Sequence, residues 1–350
     1  MASKRERRIV IHAFASMKGG VGKSCLAVTC AKLLAHIGRK PLVVDCDMTG
    51  TSLADGLQLL APKLPLGEDG KFDWFQYPTG EFHSREETLR LRRLRRYAPL
   101  DGNGMPALMP PPYLNDMLRF LEEAYSEKRT VTTPRFDAGL WRHPGAHDGL
   151  EYLPSSPCKY DVATSLGWLQ FEHDPDLKFR WMRLLFWILY VLVDLRKNLT
   201  DIVIDLPPGI LAFTHEVLVA LSLIDLEKKP IDGYPRWSDL GVTLKANPFL
   251  VLSPDRNDLL PGLEYWGETK SKVPSLRPLI NRATEAKEDI FARILDALGD
   301  GVSPSYFEDA TSMVDDLPMT LGKVFRQGAF QMTPDVQALM DILRLKGCGA

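Results

Sequence analysis

"SMKGGVGKS", residues Ser16–Ser24, follows the apolar run "RIVIHAFAS" and leads into "SCLAVTCAKLLAHIG", where apolar residues recur at helical spacing. A strand, a glycine-rich turn and a helix in that order make the first half of a βαβ unit. Gly19, Gly20 and Gly22 allow backbone angles that other residues resist, so successive N–H groups can point inward at anionic oxygens. The helix starting near Lys23 adds its positive N-terminus. Lys23 can reach the β- and γ-phosphates of a nucleotide, and the Ser24 hydroxyl can bind Mg²⁺. The loop departs from G-x-x-x-x-G-K-[ST] at its start. Met17 stands where the first glycine would be, and a second lysine, Lys18, follows it. With Lys23 already at the phosphates, Lys18 needs a separate reason.

Beyond the helix, "PLVVDCD" is a continuous apolar run ending in acids, the pattern of a buried parallel strand. "LEYLPSSP", "TDIVIDLPPG", "NPFLVLSPD" and "LRPLINRAT" repeat it, with helix-like segments between most of them. This alternation predicts an α/β fold: a doubly wound, mostly parallel sheet flanked by helices. Ligands of such sheets bind at the carboxyl ends of the strands. The glycine loop, Asp45 and Asp47, "DLPPG" and "NRAT" all fall at such ends. Residues 58–147 break the rhythm with "APKLPLGEDG", "LRLRRLRRY", "MPALMPPPY" and "RHPGAHDG". They read as an insertion of unknown role, with two short helices and no core of its own, inside a single domain spanning 1–350.

The chain has 350 residues and a net charge of −2, which gives no sign of a strongly basic nucleic-acid binder. Its five cysteines form no CxxC pair and read as thiols of a reducing compartment. No secretory leader is expected, and a cytoplasmic location is. The most apolar stretch, "LLFWILYVLV", is shorter than the roughly 18 residues of a membrane span and reads as a buried helix. "LRLRRLRRY" brings Arg90, Arg92, Arg93, Arg95 and Arg96 into one helix-sized stretch. It could grip DNA phosphates, or form a solvated face balanced by Glu86 and Glu87. The last segment, "PDVQALMDILRLKGCGA", predicts an amphipathic helix with Val336, Leu339, Met340 and Leu343 on one side. A membrane-surface helix needs a basic polar face. Here only Arg344 and Lys346 contribute, so packing on the domain is expected and membrane binding is not.

The form K-G-G-x-G-K-[ST] resembles the deviant phosphate loop of the ParA/MinD family of ATPases. "VVDCDMTGTSL" resembles that family's first switch, with Met48 and Thr49 in place of Pro and Gln, and "IVIDLPPG" resembles its second. "LINRAT" resembles the segment that contacts adenine. The resemblance covers residues 9–57 and about 149–300, and implies a P-loop NTPase fold. It implies that Lys18, Gly19, Gly20, Val21, Gly22, Lys23, Ser24 and Cys25 bind ATP, with Gly209 offering its N–H to the γ-phosphate and Asn281 meeting the base. Mg²⁺ would be held by Ser24, by Asp205 through water and by Asp45 as a further candidate. Asp47 would orient the attacking water, and Lys18 would cross a dimer interface to the partner's nucleotide.

The activity so implied is slow, partner-stimulated ATP hydrolysis in a nucleotide-sandwich homodimer that positions or partitions a DNA or protein cargo. Alternatives are a small-molecule ligase or synthetase of the same superfamily, an iron–sulfur carrier sharing "DLPPG", and a non-hydrolysing ATP-binding adaptor.

Overall fold

The computed structural model describes residues 7–48, 53–67, 72–96, 111–126, 133–144, 149–159, 161–162, 180–210, 212–225, 234–282, 289, 292, 312–313 and 331–345. Along the chain run β1 (Arg7–Ser16), α1 (Lys23–His36), β2 (Pro41–Asp45), α2 (Leu53–Gly56), α3 (Arg85–Arg96), α4 (Leu114–Ser126), β3 (Glu151–Leu153) and α5 (Arg180–Leu195). Then come β4 (Asp201–Pro208), α6 (Ala212–Asp225), β5 (Val242–Leu252), α7 (Arg256–Thr269), β6 (Arg277–Ile280), β7 (Ser312–Met313) and α8 (Pro334–Ile342).

The seven strands form one sheet in the order β3-β2-β4-β1-β5-β6-β7. Every neighbouring pair is parallel. The doubly wound α/β sheet expected from the sequence is therefore present. Its central strands are apolar on both sides because helices cover both faces. Ile9, Ile11 and Ala13 of β1 join the apolar cluster that also holds side chains of α4, α5, α6 and α7. Phe14 joins a second cluster with Leu26, Leu33 and Leu34 of α1 and Leu339, Met340 and Leu343 of α8. The run "LLFWILYVLV" lies inside α5, with Leu185, Phe186 and Leu189 fully buried. Where "NPFLVLSPD" suggested a short strand, β5 starts five residues earlier, at Val242. Its first half alternates buried and exposed residues, so it lacks the continuous apolar run of the second.

Helix α8 starts at Thr333, whose hydroxyl accepts the Val336 N–H at 3.3 Å, with Pro334 at the first helical position. Its apolar side packs on the sheet, as expected. Within 58–147, Trp74, Leu114, Met117, Leu118 and Phe136 pack into the same apolar cluster as α5 and the sheet. Arg95 is buried. It forms a bidentate pair with Asp116 at 2.8 and 2.6 Å, meets Asp161 at 3.1 Å and lies over the Tyr113 ring. Arg92 pairs with Asp55, and Arg90 with Glu87 at 2.7 Å. The arginine run is therefore no row of five free cations: Arg95 is spent inside the fold, and the Arg96 side chain lies outside the described residues.

Candidate nucleotide-binding site

The loop between β1 and α1 sits at the carboxyl edge of the sheet, bounded by the ends of β4 and β5. Gly20 and Gly22 have φ of 82° and 86°, in the left-handed region that favours glycine. Gly22 is also the N-cap of α1, and its carbonyl accepts the Leu26 N–H at 3.0 Å. A Cβ at Gly22 would lie 2.4 Å from Nδ2 of Asn281. That Nδ2 donates to the Val21 carbonyl at 2.7 Å, while the Asn281 N–H donates to the Leu252 carbonyl at 2.7 Å. Asn281 therefore ties the end of β6 to the glycine loop.

Lys23 is 5% exposed and forms a buried ion pair with Asp205. The Ser24 hydroxyl also bonds Asp205. Asp205 lies in register with Phe14 of β1 and with Asp45 of β2, so the three strand ends meet. Burial pushes the Asp205 carboxyl up, while Lys23 and Ser24 pull it back down. Its Oδ2 is buried and has no hydrogen-bond partner. A buried anionic oxygen beside a serine hydroxyl suits a divalent cation or its water shell. The residues present thus fit Mg²⁺.

Asp45 is occupied differently. Its Oδ1 accepts the Asp47 N–H at 3.0 Å. Its Oδ2 accepts the Leu53 N–H at 2.9 Å and the Ser155 N–H and Oγ–H at 3.3 and 2.9 Å. Burial, then the nearby Asp205, push its carboxyl up to about 7. With both oxygens engaged, Asp45 organises the segment after β2. Ser155 completes this arrangement, its Oγ also reaching the Asp47 carbonyl at 2.9 Å. It follows β3 in "LEYLPSSP", and a small hydroxyl residue just past a strand end was the available signal. Asp47 is 6% exposed, beside Asp45 and close enough to raise the Asp205 carboxyl. Met48 is buried, and Thr49 lies outside the described residues.

Two expectations meet different geometry. The Gly209 N–H donates to the Ser16 carbonyl at 2.9 Å, so in this conformation it fastens β4 to β1 and is not directed at a phosphate. Asn281 grips the loop backbone through Nδ2, leaving only its buried, unpartnered Oδ1 for any other contact. Cys25 is part-exposed at the start of α1. Lys18 stands at the loop's mouth with its side chain 52% exposed, and its Nζ lies 3.6 Å from Oδ2 of Asp255. Asp255 caps α7, accepting the Asn257 N–H at 2.9 Å.

A glycine loop with left-handed turns, a buried lysine and a serine–aspartate pair, set at the carboxyl edge of a parallel sheet, are the arrangement of a P-loop fold. Residues 12–132 match the family described as the CobQ/CobB/MinD/ParA nucleotide binding domain. No curated protein matches the chain. Among solved structures, a putative plasmid partition protein from Borrelia burgdorferi bound to AMPPNP is 13% identical, with 97% of this chain and 99% of that chain covered and a TM-score of 0.50. MinD of Pyrococcus horikoshii complexed with Mg-ADP is 15% identical over 96% and 94% of the two chains, with a TM-score of 0.47. A ParA family ATPase from Chlorobium tepidum is 14% identical over 98% and 95%, with a TM-score of 0.44. No helix among the described residues is long and apolar enough to cross a membrane.

Proposed function

We propose that this protein is a Mg²⁺-dependent ATPase switch that closes into a homodimer around ATP and positions or partitions a DNA or protein cargo. The observation that carries this reading is the contrast between its two loop lysines. Lys23 is buried against Asp205, inside the fold. Lys18 is exposed and held only by a surface ion pair, which stabilises little. A cation placed outside a phosphate loop is free to meet charge that a second subunit brings. In a water-excluded interface such a cation would stabilise developing phosphate charge.

The buried Lys23–Asp205 pair supports ATP as the ligand. Entering phosphates would take Lys23 as their counter-charge, and Asp205 and Ser24 would then be released to hold Mg²⁺, which supplies charge neutralisation between the phosphates. Asp47, beside Asp45 at the same edge, would orient a water. Turnover would be slow until a partner protein stimulates it. A second reading, a small-molecule ligase, has one observation in its favour: the matched family includes CobQ and CobB.

Light scattering with ATP and with ADP tests the switch. A dimer with ATP and a smaller species with ADP are expected. Lys18→Ala should lose hydrolysis and keep nucleotide binding. A variant that hydrolyses ATP like the parent rules out the sandwich. Phosphate release that appears only with a small carboxylate substrate would select the ligase.

A further inference from the structure

A second cavity, of about 950 Å³, opens on the face of the sheet covered by α1 and α8, toward the N-terminal ends of the strands and away from the phosphate loop. Six cations from six separate segments line it: Arg8, Arg39, Lys245, Lys270, Arg277 and Arg344. No carboxylate is among its described lining residues. Asp201, bonded to the lining residues Arg39 at 2.6 Å and His12 at 3.1 Å, also accepts the Thr200 hydroxyl at 2.7 Å. Among the described residues, Arg8, Lys245, Arg277 and Arg344 form no ion pair. So much unbalanced positive charge in one concavity is notable in a chain of net charge −2.

The cavity is also built. Arg277 is fixed by the Asn247 side chain at 2.7 Å, by the Ile342 carbonyl at 3.2 Å and by stacking on Phe249. Burial and the neighbouring Arg344 lower its pKa to about 10, so it stays charged at neutral pH. Ser275, also in the lining, has a buried Oγ with no partner. Arg344 ends α8 in a Schellman turn: the Leu345 N–H reaches the Met340 carbonyl at 2.8 Å, and the Arg344 N–H reaches the Asp341 carbonyl at 2.9 Å. Its φ is 54°, at the position where such turns ordinarily place glycine. An arginine there accepts left-handed strain and delivers a guanidinium to the cavity.

We propose that this cavity binds a small anion carrying two or more phosphate groups, at a site separate from the phosphate loop. A volume of this order is typical of small-molecule sites. A DNA backbone would instead call for an open basic stripe. Arginines offer planar donors that match phosphate oxygens, which favours phosphate over a simple carboxylate.

Calorimetry with inositol hexakisphosphate at low salt tests this, using the full chain and four variants. Binding should persist in Lys23→Ala, which disables the phosphate loop. It should weaken about tenfold or more in Arg344→Gln and in Lys245→Gln, the loss expected for one charge-assisted hydrogen bond. Both side chains are exposed, so these variants should fold even if Arg277→Gln does not. Three outcomes overturn the proposal: no binding of the probe, binding lost in Lys23→Ala but kept in Arg344→Gln, and binding of a DNA duplex or anionic vesicles without binding of the probe.

Discussion

Gly22 is where loop geometry and side-chain contact meet. Its φ of 86° and the 2.4 Å approach of Asn281 to any added Cβ are two separate objections to a side chain. We expect Gly22→Ala to cost about 1–3 kcal/mol of stability and to lose nucleotide affinity. Adding Asn281→Ala should recover part of the loss, because it removes the clash and leaves the backbone strain. If the double variant is no better than the single one in denaturant melts, the clash is not a cause. The two acids at this edge should also separate. Asp205→Ala removes the anion paired with Lys23 and bonded by Ser24, so it should weaken Mg²⁺-dependent nucleotide binding. Asp47→Ala should spare binding and lose hydrolysis. Affinity with Mg²⁺ and single-turnover hydrolysis, measured on each variant, check this; the reverse pattern would exchange their roles. Lys23, Ser24 and Asp205 could be read from the sequence because a phosphate loop fixes them by spacing. Ser155 and Asp255 could not, since each acts through contacts with residues about a hundred or more positions away in the chain.

Helix α3 shows what an element's sequence conceals. Its arginines read as a charged face, and the acids in its own first turn, Glu86 and Glu87, looked like their balance. Among the described side chains of the run, only Arg90 is balanced that way. Arg95 finds Asp116 on α4 and Asp161 beyond β3, which ties α3 to both segments. Removing one partner of a buried pair leaves an uncompensated charge, so Arg95→Ala should cost about 3–5 kcal/mol in chemical denaturation. Arg93→Ala, on an exposed residue of the same helix, should cost little, and equal costs would refute the distinction. The strands were the most legible elements, because an apolar run ending in Asp, Pro or Gly is hard to place except at the carboxyl edge of a covered sheet. The first half of β5 escaped for the opposite reason. Lys245 and its neighbours alternate inward and outward, and such short alternation does not stand out against loop sequence.

Across the whole molecule, Asp45 joins the end of β2, the start of α2 and the segment after β3, so its charge state bears on global stability. Burial and the nearby Asp205 push its carboxyl up to about 7 when folded, well above an unfolded aspartate. Between about pH 4 and pH 7 the native state therefore keeps a proton that the unfolded chain has released. In that window this group's contribution to stability falls as pH rises, and above about 7 it levels off. Denaturation of the nucleotide-free protein at several pH values should show this fall, and Asp45→Asn, which cannot titrate, should flatten it. An unchanged slope would assign the effect elsewhere.

That α8 and α1 share one apolar cluster has a consequence for how the molecule comes to exist. Helix α1 leaves the ribosome well before Leu339, Met340 and Leu343, which share its apolar cluster. β1 likewise waits for β4 and β5 before it has neighbours on either side. Until α8 is made, α1 and the loop before it form an incomplete layer with an exposed apolar flank, which is prone to aggregate. A chain halted before α8 should thus be sticky and quickly degraded.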